Sequence, residues 1–81
     1  MSRRRLPPLN ALRAFEAAAR HLSFERAGDE IAVTASAVGQ QVKALEAWIG
    51  RPLFLRQPSR GVALTPLGER YAVAVTDALN R

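Results

Sequence analysis

Apolar residues recur every three or four positions along most of the chain, and the breaks in that rhythm mark out the elements. Leu12, Phe15, Ala19 and Leu22 share one face of a first helix that enters near Leu9 or Asn10. Ser23 then stands where a hydroxyl can accept a bond from an unpaired N–H of a next helix, whose inner side is Phe24, Ala27 and Ile31. After the short connection Ala32-Val33, Thr34 offers a second cap. Two helices split by so brief a turn are the pattern of a helix-turn-helix, predicted over about 24–43. In the third helix Val38, Val42, Leu45 and Ile49 point one way, and Ser36, Gln40, Lys43 and Ala47 point the other. Gly39 lies between the two arcs, and Gly50 closes the pattern as a left-handed cap.

Pro52 interrupts the helical rhythm. Leu53-Phe54-Leu55 and Val62-Ala63-Leu64, on either side of Gln57-Pro58-Ser59-Arg60-Gly61, read as two strands around a turn. Thr65 caps and Pro66 opens a last helix, about 24 Å long if it runs to Arg81. Its stripe of Leu67, Tyr71, Ala74, Val75 and Ala78 is longer than one small three-helix core is expected to cover. The predicted fold is mainly α: a winged helix-turn-helix of three helices and a two-stranded β-hairpin wing, followed by a long linker helix. The expected division is a basic lead at 1–6, a winged helix-turn-helix domain at 7–64 with its wing at about 52–64, and a linker helix at 65–81.

Composition narrows the partners. Eighty-one residues allow one small domain, and with five aromatics aliphatic side chains must fill its core. Twelve Lys and Arg against seven Asp and Glu give a net charge of +5, which favours an anionic partner, either nucleic acid or an acidic membrane surface. No apolar run approaches the roughly 20 residues of a membrane span, and Arg3, Arg4 and Arg5 lead into Pro7 and Pro8 without a signal-like apolar region. A cytoplasmic location is expected. The absence of cysteine removes disulfide and thiol chemistry, and the single His21 offers no zinc set, so no metal or cofactor is expected. His21 either packs or offsets the helix dipole, and without a paired carboxylate or second His it does not suggest catalysis.

The second helix of a helix-turn-helix enters the DNA major groove and meets base edges with its N-terminal residues. Here those residues run from Thr34 to Lys43. The small Ala35, Ser36 and Gly39 allow close approach; Gln40 can pair with an adenine edge, Ser36 with base or phosphate, and Lys43 with phosphate. Gln41 lies toward the side, as a phosphate or neighbouring-base contact. In the wing Arg56 and Arg60 are placed for phosphates, with Arg60 near the tip able to enter a minor groove. Arg26 is a backbone contact on a helix whose Glu25, Asp29 and Glu30 keep it from lying flat on phosphates; the caps Ser23 and Thr34 can add phosphate contacts. Trp48 and Tyr71 read as packing residues. Gly39 fits close DNA approach, close helix packing or simple tolerance.

Leu9-Asn10-Ala11-Leu12-Arg13-Ala14-Phe15, Leu22-Ser23-Phe24, Gln41-Val42-Lys43-Ala44-Leu45-Glu46, Gly50 with Leu53-Phe54, and Leu64-Thr65-Pro66-Leu67-Gly68, in that order, resemble the N-terminal domain of bacterial LysR-type transcriptional regulators. The lead into the first helix is most similar to the branch of glycine-cleavage activators and β-lactamase regulators. The resemblance implies double-stranded promoter DNA with an imperfect inverted repeat as partner, a homodimer paired through the last helix, a tetramer in the full-length protein, and a C-terminal effector-binding domain that this chain lacks. The chain departs from the family pattern at Gly28, Ala35 and Gly39, where Ala, a polar residue and Ser are common; recognition then shifts toward Ser36, Gln40 and the wing. The rival reading is a winged protein-interaction module without appreciable DNA affinity. A membrane-surface role is disfavoured because the basic residues do not form one helix face.

Overall fold

The computed structural model describes residues 9–57 and 61–80. Its elements are α1 (Leu9–His21), α2 (Phe24–Ile31), α3 (Ala35–Ile49), β1 (Phe54–Gln57), β2 (Gly61–Leu64) and α4 (Pro66–Leu79). Each of the last three helices begins on a hydroxyl cap. Ser23 Oγ accepts from the Arg26 N–H at 3.1 Å, Thr34 Oγ1 from Ala37 at 3.0 Å, and Thr65 Oγ1 from Gly68 at 2.9 Å. Such caps contribute about 1 kcal/mol each and fix where a helix starts.

Helix α1 is the centre of the domain, packed by α2 and α3 and, from another side, by α4. It therefore buries more than one stripe. Phe15 is fully buried, Leu12 and Ala19 are partly so, and Ala11, Ala14, Ala17 and Ala18 are buried as well. These alanines let the neighbouring helices approach closely. Leu22 departs from the expected stripe: its backbone turns left-handed (φ 52°) after the helix ends, and its side chain is 46% exposed.

Between α2 and α3 the chain reverses through Ala32, a left-handed residue whose N–H returns to the Gly28 carbonyl. This turn folds directly over Gly28. A Cβ there would lie 2.5 Å from the Val33 carbonyl oxygen and 3.2 Å from the Thr34 carbonyl carbon, so the tight turn requires glycine or a shifted backbone. In α3, Val38, Val42 and Leu45 are buried, Ile49 packs against them, and Gly50 caps the end in the left-handed region. Trp48 is not a core residue: it is 43% exposed.

The hairpin is antiparallel, with Phe54 opposite Leu64 and Gln57 opposite Gly61. A carboxylate holds it to α3: Glu46 Oε2 accepts from the Leu53 and Phe54 N–H groups at 2.7 and 3.1 Å. Thr65 holds it to α4, donating its hydroxyl to the Pro52 carbonyl at 3.0 Å. An edge-to-face series of rings, Tyr71 on Phe15, Phe15 on Phe54 and Phe54 on Phe24, joins α4 to α2 through the hairpin.

This packing covers the α4 stripe only in part. Leu67 and Tyr71 pack on the core and Val75 is buried, because α4 folds back along α1; Ala74 and Ala78 remain exposed, as do Val73 and Leu79.

Candidate nucleic-acid interface

The outward face of α3 and the hairpin bound an open groove of about 400 Å³. One wall is the ridge Ser36, Gln40 and Lys43, spaced a helical turn apart and all exposed. Phe24 and Arg56 form the other wall, and Ala35 and Gly39 the floor. The Arg56 guanidinium carbon lies 5.6 Å from the centre of the Phe24 ring, a cation–π distance that holds the charge over the groove. A second groove continues past Phe24 to Ser23, Arg26 and Val62, with Ala35 and Arg56 shared between the two.

Most of the residues singled out in the sequence thus meet on one side of the molecule. Gln41 does not: it is half-buried and lines a separate groove with Asn10, Arg13, Ile31 and Val33. The hydroxyls of Ser23 and Thr34 are each engaged as caps. Arg60 and Arg3 to Arg5 lie outside the described residues. Phe24 was legible only as a core residue. Its outer ring edge became visible as a groove wall once α2, α3 and the hairpin were placed together.

Gly39 is settled in part by the same geometry. A Cβ there would make ordinary contact with two Phe24 ring carbons, at 3.6 and 3.7 Å. Helix packing therefore does not demand glycine, although glycine within a helix costs about 1 kcal/mol relative to alanine.

Charge is also distributed by face. Among the described residues Arg26, Lys43 and Arg56 form no ion pair. Arg20, on the edge between α1 and α2, is paired with both Glu16 (2.8 Å) and Glu30 (2.7 Å), and His21 Nε2 lies 2.8 Å from Glu30. His21, the last residue of α1, thus stands at the helix C-terminus expected of a dipole partner and adds a contact to Glu30 on the next helix. Hydrogen bonds from Arg20 and then His21 hold the Glu30 carboxyl down to about 2, and Arg20 likewise lowers Glu16. The same bonds raise Arg20 above its ordinary value. Burial raises the Tyr71 phenol. Among the described residues no cluster of His, Asp and Glu could hold a metal ion, and no helix is long and apolar enough to cross a membrane.

An α-helix fits the major groove of B-DNA, about 12 Å wide, and α3 presents to it a ridge of hydrogen-bonding and cationic side chains flanked by Arg26 and Arg56, which form no ion pair among the described residues. This arrangement has close counterparts. Residues 9–69 match the family described as bacterial regulatory helix-turn-helix protein, lysR family. The chain is 50% identical over 78 residues to the glycine cleavage system transcriptional activator homolog of Haemophilus influenzae, covering 96% of this chain and 26% of that protein. With the HTH-type transcriptional activator AmpR of Providencia stuartii it shares 66% identity over 61 residues, 75% of this chain and 20% of that one. It thus spans about a quarter of the length of such curated relatives. Among solved structures, the BenM DBD/catB site 1 DNA complex superposes with a TM-score of 0.84 at 30% identity, covering 90% of this chain and 81% of that one. With its winged helix-turn-helix architecture and its sequence in agreement, the chain belongs to the lysR family of bacterial regulatory helix-turn-helix proteins.

Proposed function

We propose that this chain is the sequence-reading module of a bacterial LysR-type regulator, acting in the cytoplasm on double-stranded promoter DNA with an imperfect inverted repeat. The observation that carries the reading is the α3 groove, where Ser36, Gln40, Lys43 and Arg56, none of them in an ion pair among the described residues, surround a floor without large side chains. In it Gln40 reads an adenine edge and Ser36 bonds base or phosphate. Lys43, Arg56 and Arg26 take phosphates, the N-terminal N–H groups at Thr34 and Ser23 add backbone contacts, and Gln41 reaches a flanking phosphate. The wing follows the backbone toward the minor groove, a contact for which Arg60, outside the described residues, supplies the cation.

The homodimer forms through α4. Its contact surface is the exposed Ala74 and Ala78 with Val73 and Leu79, since Leu67, Tyr71 and Val75 are already used by this chain's own core. Two such dimers form the tetramer of the full-length protein. A two-fold dimer suits a near-palindromic site.

Fluorescence anisotropy against a pool-selected duplex and its scrambled version, across salt concentrations, tests the reading. Tighter binding to the selected duplex at every salt supports it. Absence of binding to either, with a folded chain, would favour a protein-interaction module instead.

A further inference from the structure

The groove floor has a chemistry that the hydrogen-bonding ridge does not explain. Ala35 and Gly39 lie one helical turn apart beneath the Phe24 ring, and together they form an apolar notch beside Ser36 and Gln40. Within it, the backbone N–H and C=O of Gly39 are committed to the helix, which runs unbroken from Ala35 to Ile49. Neither Gly39 nor the Phe24 ring has a free polar group to satisfy a polar base edge. Among the groups that base pairs present in the major groove, the thymine C5-methyl is the apolar one; the others are donors and acceptors that would lose water there without a partner.

We infer that the Ala35–Gly39–Phe24 notch is a receptor for one thymine methyl group in each half-site, making Gly39 a specificity-determining residue. This rests on the DNA-reading function proposed above and assigns it a base. The missing side chain gives the methyl its space. A Cβ at position 39 would sit 3.6 Å from the Phe24 ring, filling the notch without disturbing the fold. Phe24 has a double role: its inner edge meets Phe54 at a centroid distance of 5.6 Å, and its outer side carries the Arg56 guanidinium at the same distance. The arginine that neutralises a phosphate is thereby fixed relative to the wall that receives the methyl.

The test replaces each thymine of a selected duplex, one at a time, by deoxyuridine, which removes the methyl and leaves base pairing intact. Affinity is read by anisotropy for the chain and for Gly39→Ala, whose folding is checked by Tm. Loss of one buried methyl corresponds to about a three- to fivefold weakening. The expected result is that loss at a single position per half-site for the unaltered chain, and a clearly smaller loss there for Gly39→Ala. If the unaltered chain prefers the selected duplex over its scrambled version yet tolerates every deoxyuridine, the methyl receptor is wrong and DNA reading stands. An equal or larger methyl effect in Gly39→Ala would place the contact elsewhere and also overturn the assignment. Failure to prefer the selected duplex at all would remove both.

Discussion

The α3 groove and the edge between α1 and α2 hold the same kinds of charged residue in opposite states. At the edge, Arg20 is clamped by Glu16 and Glu30 with His21 alongside, so its charge is spent within the fold. Around the groove, Arg26, Lys43 and Arg56 have no carboxylate partner among the described residues. Part of the net charge of +5 therefore stands beside the groove, available to an anion. The two glycines divide in the same way. Gly28 is required by the turn of the scaffold, whereas Gly39 is not required by packing and opens onto the groove. Scaffold residues are satisfied internally, and groove residues are left for a partner.

Substitutions on the two sides should separate stability from binding. The largest effect is expected for Gly28→Val, whose side chain must displace the Val33 carbonyl. It should lower stability by about 1–3 kcal/mol or more, read as a fall in Tm of several degrees per kcal/mol. An unchanged Tm would show that the turn relaxes freely. Gln40→Ala should cost about 1–3 kcal/mol on the selected duplex and little on unrelated DNA, with Tm unchanged; equal losses on both would remove base reading from Gln40. Arg56→Ala should reduce the slope of log K against log salt by about one unit, and Arg20→Ala should leave that slope unchanged. If Arg20→Ala lowered the slope as much, the distinction between spent and available charge would collapse.

The smallest effect concerns pH. The carboxyl of Glu30 is held near 2 in the folded chain against an ordinary value of 4.5, so its pairing stabilises the fold above about pH 4.5 and is lost as pH falls toward 2. Comparing Glu30→Gln with the unaltered chain, the Tm difference should be small near neutrality, because the pair is solvent-screened, and should vanish as pH falls well below 2. A difference that persists well below pH 2 would mean that something other than this ion pair is being measured.

What the sequence disclosed was local. As caps, Ser23, Thr34 and Thr65 each act within three residues, Gly50 within four, and the two strands of the hairpin are neighbours in sequence, so short-range pattern sufficed for the helix-turn-helix and the wing. What it did not disclose crosses between elements. Glu46 caps the N–H groups of Leu53 and Phe54 from another element, and Arg20 reaches Glu30 on the next helix. The covering of Val75 by α1 depends on where α4 folds back, which its own stripe does not encode. Leu22 fits an apolar rhythm yet is 46% exposed, and Trp48, read as a packing residue, is 43% exposed, because neither periodicity nor residue type shows where a helix stops or where its neighbours end. The candidate site was legible as an α3 face plus arginines, and its second wall, Phe24, needed the assembled fold.

The most direct measurement is mapping of backbone amide chemical shifts on adding a selected duplex. The account predicts that the largest changes fall on 35–43, 23–26 and 54–57, with little change along the α1–α2 edge at Glu16, Arg20 and Glu30. Perturbations centred on that edge or on the outer face of α4, with the α3 groove unaffected, would contradict it.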